Sequence, residues 1–128
     1  MHLEQEIRRV LKDGKLPCAV AFEVAQEQSV SPGDIGKLAN ELGIRVSHCQ
    51  LGLFGYGPKA EGKHKIVKPA QEVPEAMKAS LEARAPDGTI TCADIWSVAQ
   101  EMGASKIAAS AAVEALGFRV TGCQLHCF

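Results

Sequence analysis

The chain has 128 residues, of which 14 are basic and 15 acidic, so its formal net charge is −1. This balance gives no overall attraction to nucleic acid or to an anionic membrane. Charged residues occupy the N-terminus, where a signal peptide needs an apolar run, and no apolar stretch approaches membrane-spanning length. The composition therefore predicts a cytoplasmic protein that has no membrane partner and keeps its five cysteines reduced.

The predicted elements begin with a helix, because Leu3, Ile7 and Leu11 recur at helical spacing before a turn at Asp13-Gly14. A short strand and a second helix through about Gln28 follow. Ser31 then caps a third helix that has Pro32 in its first turn and ends at Gly43. The residues from 44 to 54 predict a final strand with a bulge near Ser47-His48.

The same pattern occurs a second time, 74 residues later. Cys18–Phe54 aligns with Cys92–Phe128 without a gap, and residues 2–54 share about 17 identities in 53 pairs with residues 76–128. The sequence therefore predicts a lobe at 1–54, a basic wing and linker at 55–72, and a second lobe at 73–128. A lobe of this size can bury little apolar surface alone, so the two lobes are expected to share some of it.

The segment between the lobes is locally basic. Gly55–Pro69 carries four lysines against Glu61 alone, which gives +3 in a chain whose total is −1. Its first half is rich in glycine and proline and therefore predicts a loop.

The order of elements resembles the winged helix-turn-helix superfamily. The likeness is carried by "DGKLPCAVAFEVAQEQSVSPGDIGKLANELGIRV" at Asp13–Val46 and by "DGTITCADIWSVAQEMGASKIAASAAVEALGFRV" at Asp87–Val120. It implies an α+β, mainly α, fold of tandem winged helix-turn-helix lobes related by a pseudo-two-fold axis. Each lobe would have three helices and short antiparallel strands. The wing of the second lobe is expected to be truncated, because the sequence stops at Phe128.

The resemblance also implies a function, that of a small DNA-binding, transcriptional regulator-like protein whose partner is double-stranded DNA. The third helices, Pro32–Leu42 and Lys106–Leu116, would occupy the recognition position in the major groove, and Gly55–Lys63 would form the first wing. The DNA-binding candidates are the basic and amide side chains at these places: Lys37, Asn40, Lys59, Lys63, Lys65, Lys68 and Lys106.

An interaction module that binds a protein and no nucleic acid is the alternative. The outward positions of the first recognition helix include Gly33, Asp34 and Gly36, which offer little to a base edge or a phosphate. On the second helix Ser110 is also expected to face outward. Ile107, Ala108 and Ala111 of this helix present a surface that suits a protein partner better.

A thiol site that binds a metal or senses redox state is a minor alternative. Cys123, His126 and Cys127 are its candidates, but four residues of a strand span about 13 Å, too far for two thiolates on one zinc ion. Cys18 and Cys92 lie on apolar helix faces, where a free cysteine behaves as a small apolar residue. The sequence therefore predicts no metal and no cofactor.

The Cys-Gln-Leu motif ends both copies and has no counterpart in the general winged-helix pattern. An apolar strand edge is normally paired. We therefore expect the last segments of the two copies to pair with each other and join the lobes, through Cys49, Leu51, Phe54, Cys123, Leu125 and Phe128. The oligomeric state stays open.

The sequence contains no recognisable catalytic constellation. The glycines of "GLFGYG" are followed by Pro58 and a lysine-rich loop, whereas a phosphate-binding glycine loop opens a helix. No carboxylate pair and no nucleophile–base set stands out, so the sequence predicts that the protein is not an enzyme.

Overall fold

A computed structural model describes residues 3–57, 63–125 and 127 of the chain. This part is mainly helical and has only short strands. Its elements are α1 Leu3–Arg9, β1 Leu16–Pro17, α2 Cys18–Glu27, α3 Pro32–Glu41, β2 Val46–Ser47, α4 Glu75–Arg84, β3 Thr89–Thr91, α5 Cys92–Met102, α6 Lys106–Leu116 and β4 Arg119–Thr121. None of the helices described is long and apolar enough to cross a membrane.

The chain forms two compact units, and each takes a short segment from the other copy of the repeat. Among the described residues, unit 1 contains 3–50, 54–57, 63–65, 124, 125 and 127. Unit 2 contains 51–53 and 66–123. The predicted boundaries at 54 and 73 therefore differ from the divisions in the structure, because residues 51–53 belong to unit 2 and residues 124, 125 and 127 belong to unit 1.

In unit 1 the predicted helix signals act as expected. Ser31 caps α3, its hydroxyl accepting a hydrogen bond of 3.1 Å from the backbone N–H of Asp34, and Pro32 occupies the first turn. The core is built from buried aliphatic side chains of α1, β1 and α3, with Ile7, Leu16 and Ile35 fully buried.

In unit 2 the helix termini use the same chemistry. Thr91 caps α5 and Ser105 caps α6, each through its side-chain oxygen. Gly103 and Gly117 end these helices in the left-handed conformation, which a glycine adopts without a steric penalty. The core of this unit contains aliphatic side chains of four elements: Leu81, Ile90, Ile95, Val98 and Val113.

The strands pair in parallel, so the expectation of antiparallel strands was wrong. Leu16 lies opposite Val46 in one two-stranded sheet, and Ile90 lies opposite Val120 in the other. In each copy two helices separate the paired strands and return the chain to the same end, which is the connection that parallel strands require. An isolated bridge between Lys12 and Lys15 is antiparallel.

The final strands are shorter than predicted. β2 has two residues and β4 has three. His48, with φ of 50°, and Gly122, with φ of 63°, occupy matching positions in the left-handed region, where the extended strand conformation ends. The expected bulge is therefore a strand end.

The two Cys-Gln-Leu segments consequently form turns and bends. The prediction that Cys49–Phe54 and Cys123–Phe128 pair as strands is not met by the described residues, in which the two sheets hold only β1–β2 and β3–β4. Leu51 and Leu125 are instead almost completely buried, the first in unit 2 and the second in unit 1. Phe128 lies outside the described residues.

Candidate nucleic-acid interface

Unit 1 has an open cleft of about 330 Å³ with a basic lining. Lys15, Arg45 and His64 provide its ionisable side chains, and no carboxylate occurs among the described residues that line it. We call it the basic cleft. Its remaining lining residues are Val46, Ser47, Phe54, Gly55 and Gly57.

The pairing of β1 with β2 in unit 1 places Lys15 beside Arg45. The backbone N–H of Leu16 donates a 2.9 Å hydrogen bond to the carbonyl of Arg45, so the two basic residues precede their strands side by side. Both are exposed, and neither side chain has an ion pair or hydrogen bond with another described residue. Two adjacent cations repel each other, so this position favours an anion.

A tight turn presents Lys15 to the cleft. Lys12 and Lys15 exchange backbone hydrogen bonds of 2.8 and 2.9 Å across Asp13-Gly14. Both turn residues have positive φ, at 51° and 76°, which is the conformation of a type I′ hairpin turn and explains the Asp-Gly pair.

The third ionisable group, His64, directly follows Gly55–Lys63, the loop that the sequence predicts as a wing. The backbone N–H of Tyr56 donates to the carbonyl of His64 at 3.3 Å and so brings the two ends of the loop together. The Nδ1 atom of His64 is buried and has no hydrogen-bond partner among the described residues. The imidazole therefore has one polar atom that contacts with the described residues leave unsatisfied.

The first residues of this loop are hydrogen-bonded to the chain that follows β2. The N–H groups of His48 and Cys49 donate to the carbonyls of Gly55 and Phe54, and the Tyr56 hydroxyl donates to the carbonyl of Cys49. A Cβ at Gly55 would lie 2.6 Å from the backbone nitrogen of His48, so only glycine allows this approach. The backbone that lines the cleft is therefore held by several contacts.

The predicted DNA-binding lysines are divided between the units. Lys63 and Lys65 are exposed in unit 1, at the loop that supplies His64. Lys68 is exposed in unit 2, and Lys106 of unit 2 is half-buried with its Nζ 4.0 Å from the centre of the Trp96 ring. Lys59 lies outside the described residues.

Helix α3, which the sequence predicts as the recognition helix of the first copy, is partly covered. Lys37 and Asn40 of α3 are exposed, as expected, but Gly36 is buried. A Cβ at Gly36 would lie only 1.9 Å from the carbonyl oxygen of Leu125. The expectation that Gly36 faces outward was therefore wrong, because the turn at 124–125 packs against the helix there.

In unit 2 the alanine-rich helix α6 is only partly open. Ile107 is 38 % exposed and Ala108 is exposed, whereas Ala111 is half-buried and its carbonyl accepts a 3.0 Å hydrogen bond from the N–H of Ala70. Ser110, which aligns with Gly36, is fully buried, so its expected outward position was also wrong.

The cysteines differ in exposure. Cys18, Cys49 and Cys92 are buried, Cys123 is half-buried and Cys127 is exposed. The amide of Gln50 donates to the sulfur of Cys18 at 3.5 Å, which ties the first motif to α2. No group of three metal-ligating side chains occurs in the described part of the chain, and His126 lies outside it.

Sequence reasoning missed all three residues that define the basic cleft. Arg45 recurs as Arg119, so it belongs to the pattern that both copies share and does not stand out as a binding residue. Lys15 and His64 lie far from Arg45 in the chain. The missed signal is a basic residue near the start of each predicted strand of the first copy, Lys15 in one and Arg45 in the other.

Comparisons of the chain with protein-family models, with curated proteins and with solved structures give no match.

Proposed function

We propose that the protein binds double-stranded DNA through the phosphate backbone, and that the basic cleft of unit 1 is the centre of the contact. The observation that carries the proposal is the pairing of Lys15 with Arg45 at a cleft whose described lining has no carboxylate. Arginine matches a phosphate with two parallel hydrogen bonds, and lysine adds a compact charge.

The neighbouring loop extends the same positive surface. Lys63 and Lys65 are exposed on the chain that adjoins His64. Because the whole chain carries −1, this positive charge is local and marks one place for a phosphate backbone. The protein would act as a small regulator-like protein of the kind that the winged-helix resemblance implies.

Base recognition has a minor role in this proposal. Phosphate contacts fix position on a duplex, while base contacts specify sequence. On α3 the side chains available to a base edge are Lys37 and Asn40, and the surface at Gly36 is covered by the turn at 124–125. Binding is therefore expected to depend strongly on salt and weakly on sequence.

The test is a titration of a short mixed-sequence duplex at several salt concentrations, read by fluorescence anisotropy. Replacing both Lys15 and Arg45 with alanine should weaken duplex binding by about tenfold or more. The slope of the logarithm of the binding constant against the logarithm of salt concentration should become shallower by about two, one for each lost phosphate contact. Arg119→Ala is the matched control, since Arg119 aligns with Arg45 but is paired with Thr89 and not with a lysine.

Two outcomes would contradict the proposal. One is that the native protein does not bind duplex at low salt. The other is that Arg119→Ala weakens binding as much as the double replacement of Lys15 and Arg45 does. Circular dichroism of each variant verifies that the helices are intact.

Protein binding is the second candidate, and apolar side chains of unit 2 favour it. Ile107 is 38 % exposed and Met102 is 37 % exposed, at the start of α6 and the end of α5. Exposed aliphatic groups of this size suit a protein contact and contribute nothing to phosphate binding. If the native protein does not bind duplex DNA at low salt, this candidate is favoured over the first.

A further inference from the structure

A second cleft adjoins the basic cleft in unit 1. It has a volume of about 290 Å³ and shares Arg45, Val46 and Phe54 with the basic cleft. Because three residues line both clefts, the two clefts are immediate neighbours. We call the second one the amide cleft, after Asn40, which projects from the last turn of α3.

The amide cleft differs chemically from its neighbour. Its lining combines the Asn40 amide with the Phe54 ring and the apolar side chains of Ile44 and Leu125. An amide presents a donor and an acceptor together, as the edge of a nucleobase requires. An aromatic ring offers a surface on which a base stacks.

The dimensions agree with a small ligand in two parts. Ligand clefts usually range from about 300 to 1,000 Å³, and each of these clefts is near the lower limit alone. Lys15 lines the basic cleft alone and Asn40 lines the amide cleft alone, while Arg45 and Phe54 line both. Arg45 stands at the junction and can reach an anion from either cleft.

We propose that the two clefts together bind one nucleoside monophosphate. The phosphate lies at Lys15 and Arg45, and the base lies against Phe54 with its edge on the Asn40 amide. The ligand is either a free nucleotide or an unpaired nucleotide of a single strand, since both present the same groups. This inference shares the basic cleft with the proposed function but does not require binding of duplex DNA.

The experiment measures binding to the full-length protein by titration calorimetry with four probes. These are adenosine monophosphate, guanosine monophosphate, adenosine and inorganic phosphate. At least one nucleotide should bind about tenfold more tightly than adenosine and inorganic phosphate, because each of the latter two fills a single cleft. A short single-stranded oligonucleotide, compared with the free nucleotides, identifies which source of the ligand is preferred.

Two surface substitutions separate the clefts. Asn40→Ala should weaken nucleotide binding about tenfold and leave the affinity for inorganic phosphate at the native value, because the amide contacts the base alone. Arg45→Ala should weaken the binding of nucleotide and of phosphate. Arg119→Ala is the control for a lost exposed charge and should change neither. All three positions are exposed, so each variant is expected to fold.

Equal affinity for nucleotide and inorganic phosphate would overturn the inference, because the amide cleft would then contribute nothing. Unchanged nucleotide binding by Asn40→Ala would also overturn it. Failure of duplex binding with intact nucleotide binding would reject the proposed function alone, and the opposite pattern would reject this inference alone.

Discussion

At the scale of single residues, Gly36 shows how one missing side chain shapes the surface of unit 1. Replacing a glycine inside a helix with alanine ordinarily stabilises a protein by up to about 1 kcal/mol. At this position the new Cβ would meet the Leu125 carbonyl oxygen at 1.9 Å, and a backbone atom cannot move away cheaply.

We therefore predict that Gly36→Ala destabilises the protein by about 1 to 3 kcal/mol, the usual effect of overpacking. Urea unfolding followed by circular dichroism measures the change. Lys37→Ala, at the next and exposed position, is the control and should change the free energy of unfolding by less than about 0.5 kcal/mol. A stabilised Gly36→Ala protein would show that the turn at 124–125 does not pack against α3.

The single tyrosine reports the environment at the base of the loop. Burial raises the pKa of Tyr56, and the nearby Cys49 and Cys18 raise it further. A raised pKa in the folded state contributes stability that is complete below the unfolded pKa and is lost as pH rises through the folded pKa.

We predict that Tyr56 ionises above the ordinary value of about 10, and that the free energy of unfolding falls as pH rises through this region. Ultraviolet absorbance of the phenolate follows the titration, with the denatured chain as reference. Tyr56→Phe should remove the absorbance change and this part of the stability loss. Titration of native Tyr56 below the denatured value would contradict the assignment.

At the scale of elements, the two Cys-Gln-Leu segments change role between sequence and structure. The sequence predicts paired strands, but positive φ at His48 and Gly122 turns the chain before a strand can continue. What the repeat retains is a buried leucine in each turn, Leu51 in unit 2 and Leu125 in unit 1. The repeated motif is therefore a packing element.

We predict that Leu51→Ala and Leu125→Ala each destabilise the protein by about 2 to 5 kcal/mol, as truncations in a core do. Thermal and urea unfolding measure both. Ile66→Ala, at an apolar residue that is 45 % exposed, is the control and should cost less than about 0.5 kcal/mol. Losses in both leucine variants as small as in the control would show that the turns are not part of the cores.

At the scale of the whole molecule, the two copies keep one framework and differ in surface chemistry. Lys15 is matched by Thr89, and Asn40 is matched by Glu114, so the second copy has no equivalent of these two cleft residues. In unit 2 the guanidinium of Arg84 instead forms ion pairs with Asp94 and Glu101 at 2.9 and 2.7 Å. These hydrogen bonds and charges raise the pKa of Arg84. The proposed binding therefore uses one unit alone.

The sequence by itself determined the repeat, the helices and their termini. These follow from local rules, since the spacing of Leu3 and Ile7, the cap at Ser31 and the glycine at Gly117 act within a few residues of the chain. Only the tertiary structure decided the parallel pairing of the strands, the exchange of the leucine turns and the meeting of Lys15, Arg45 and His64. Each of these joins residues that are distant in the chain, and no local periodicity encodes which distant segment packs against which.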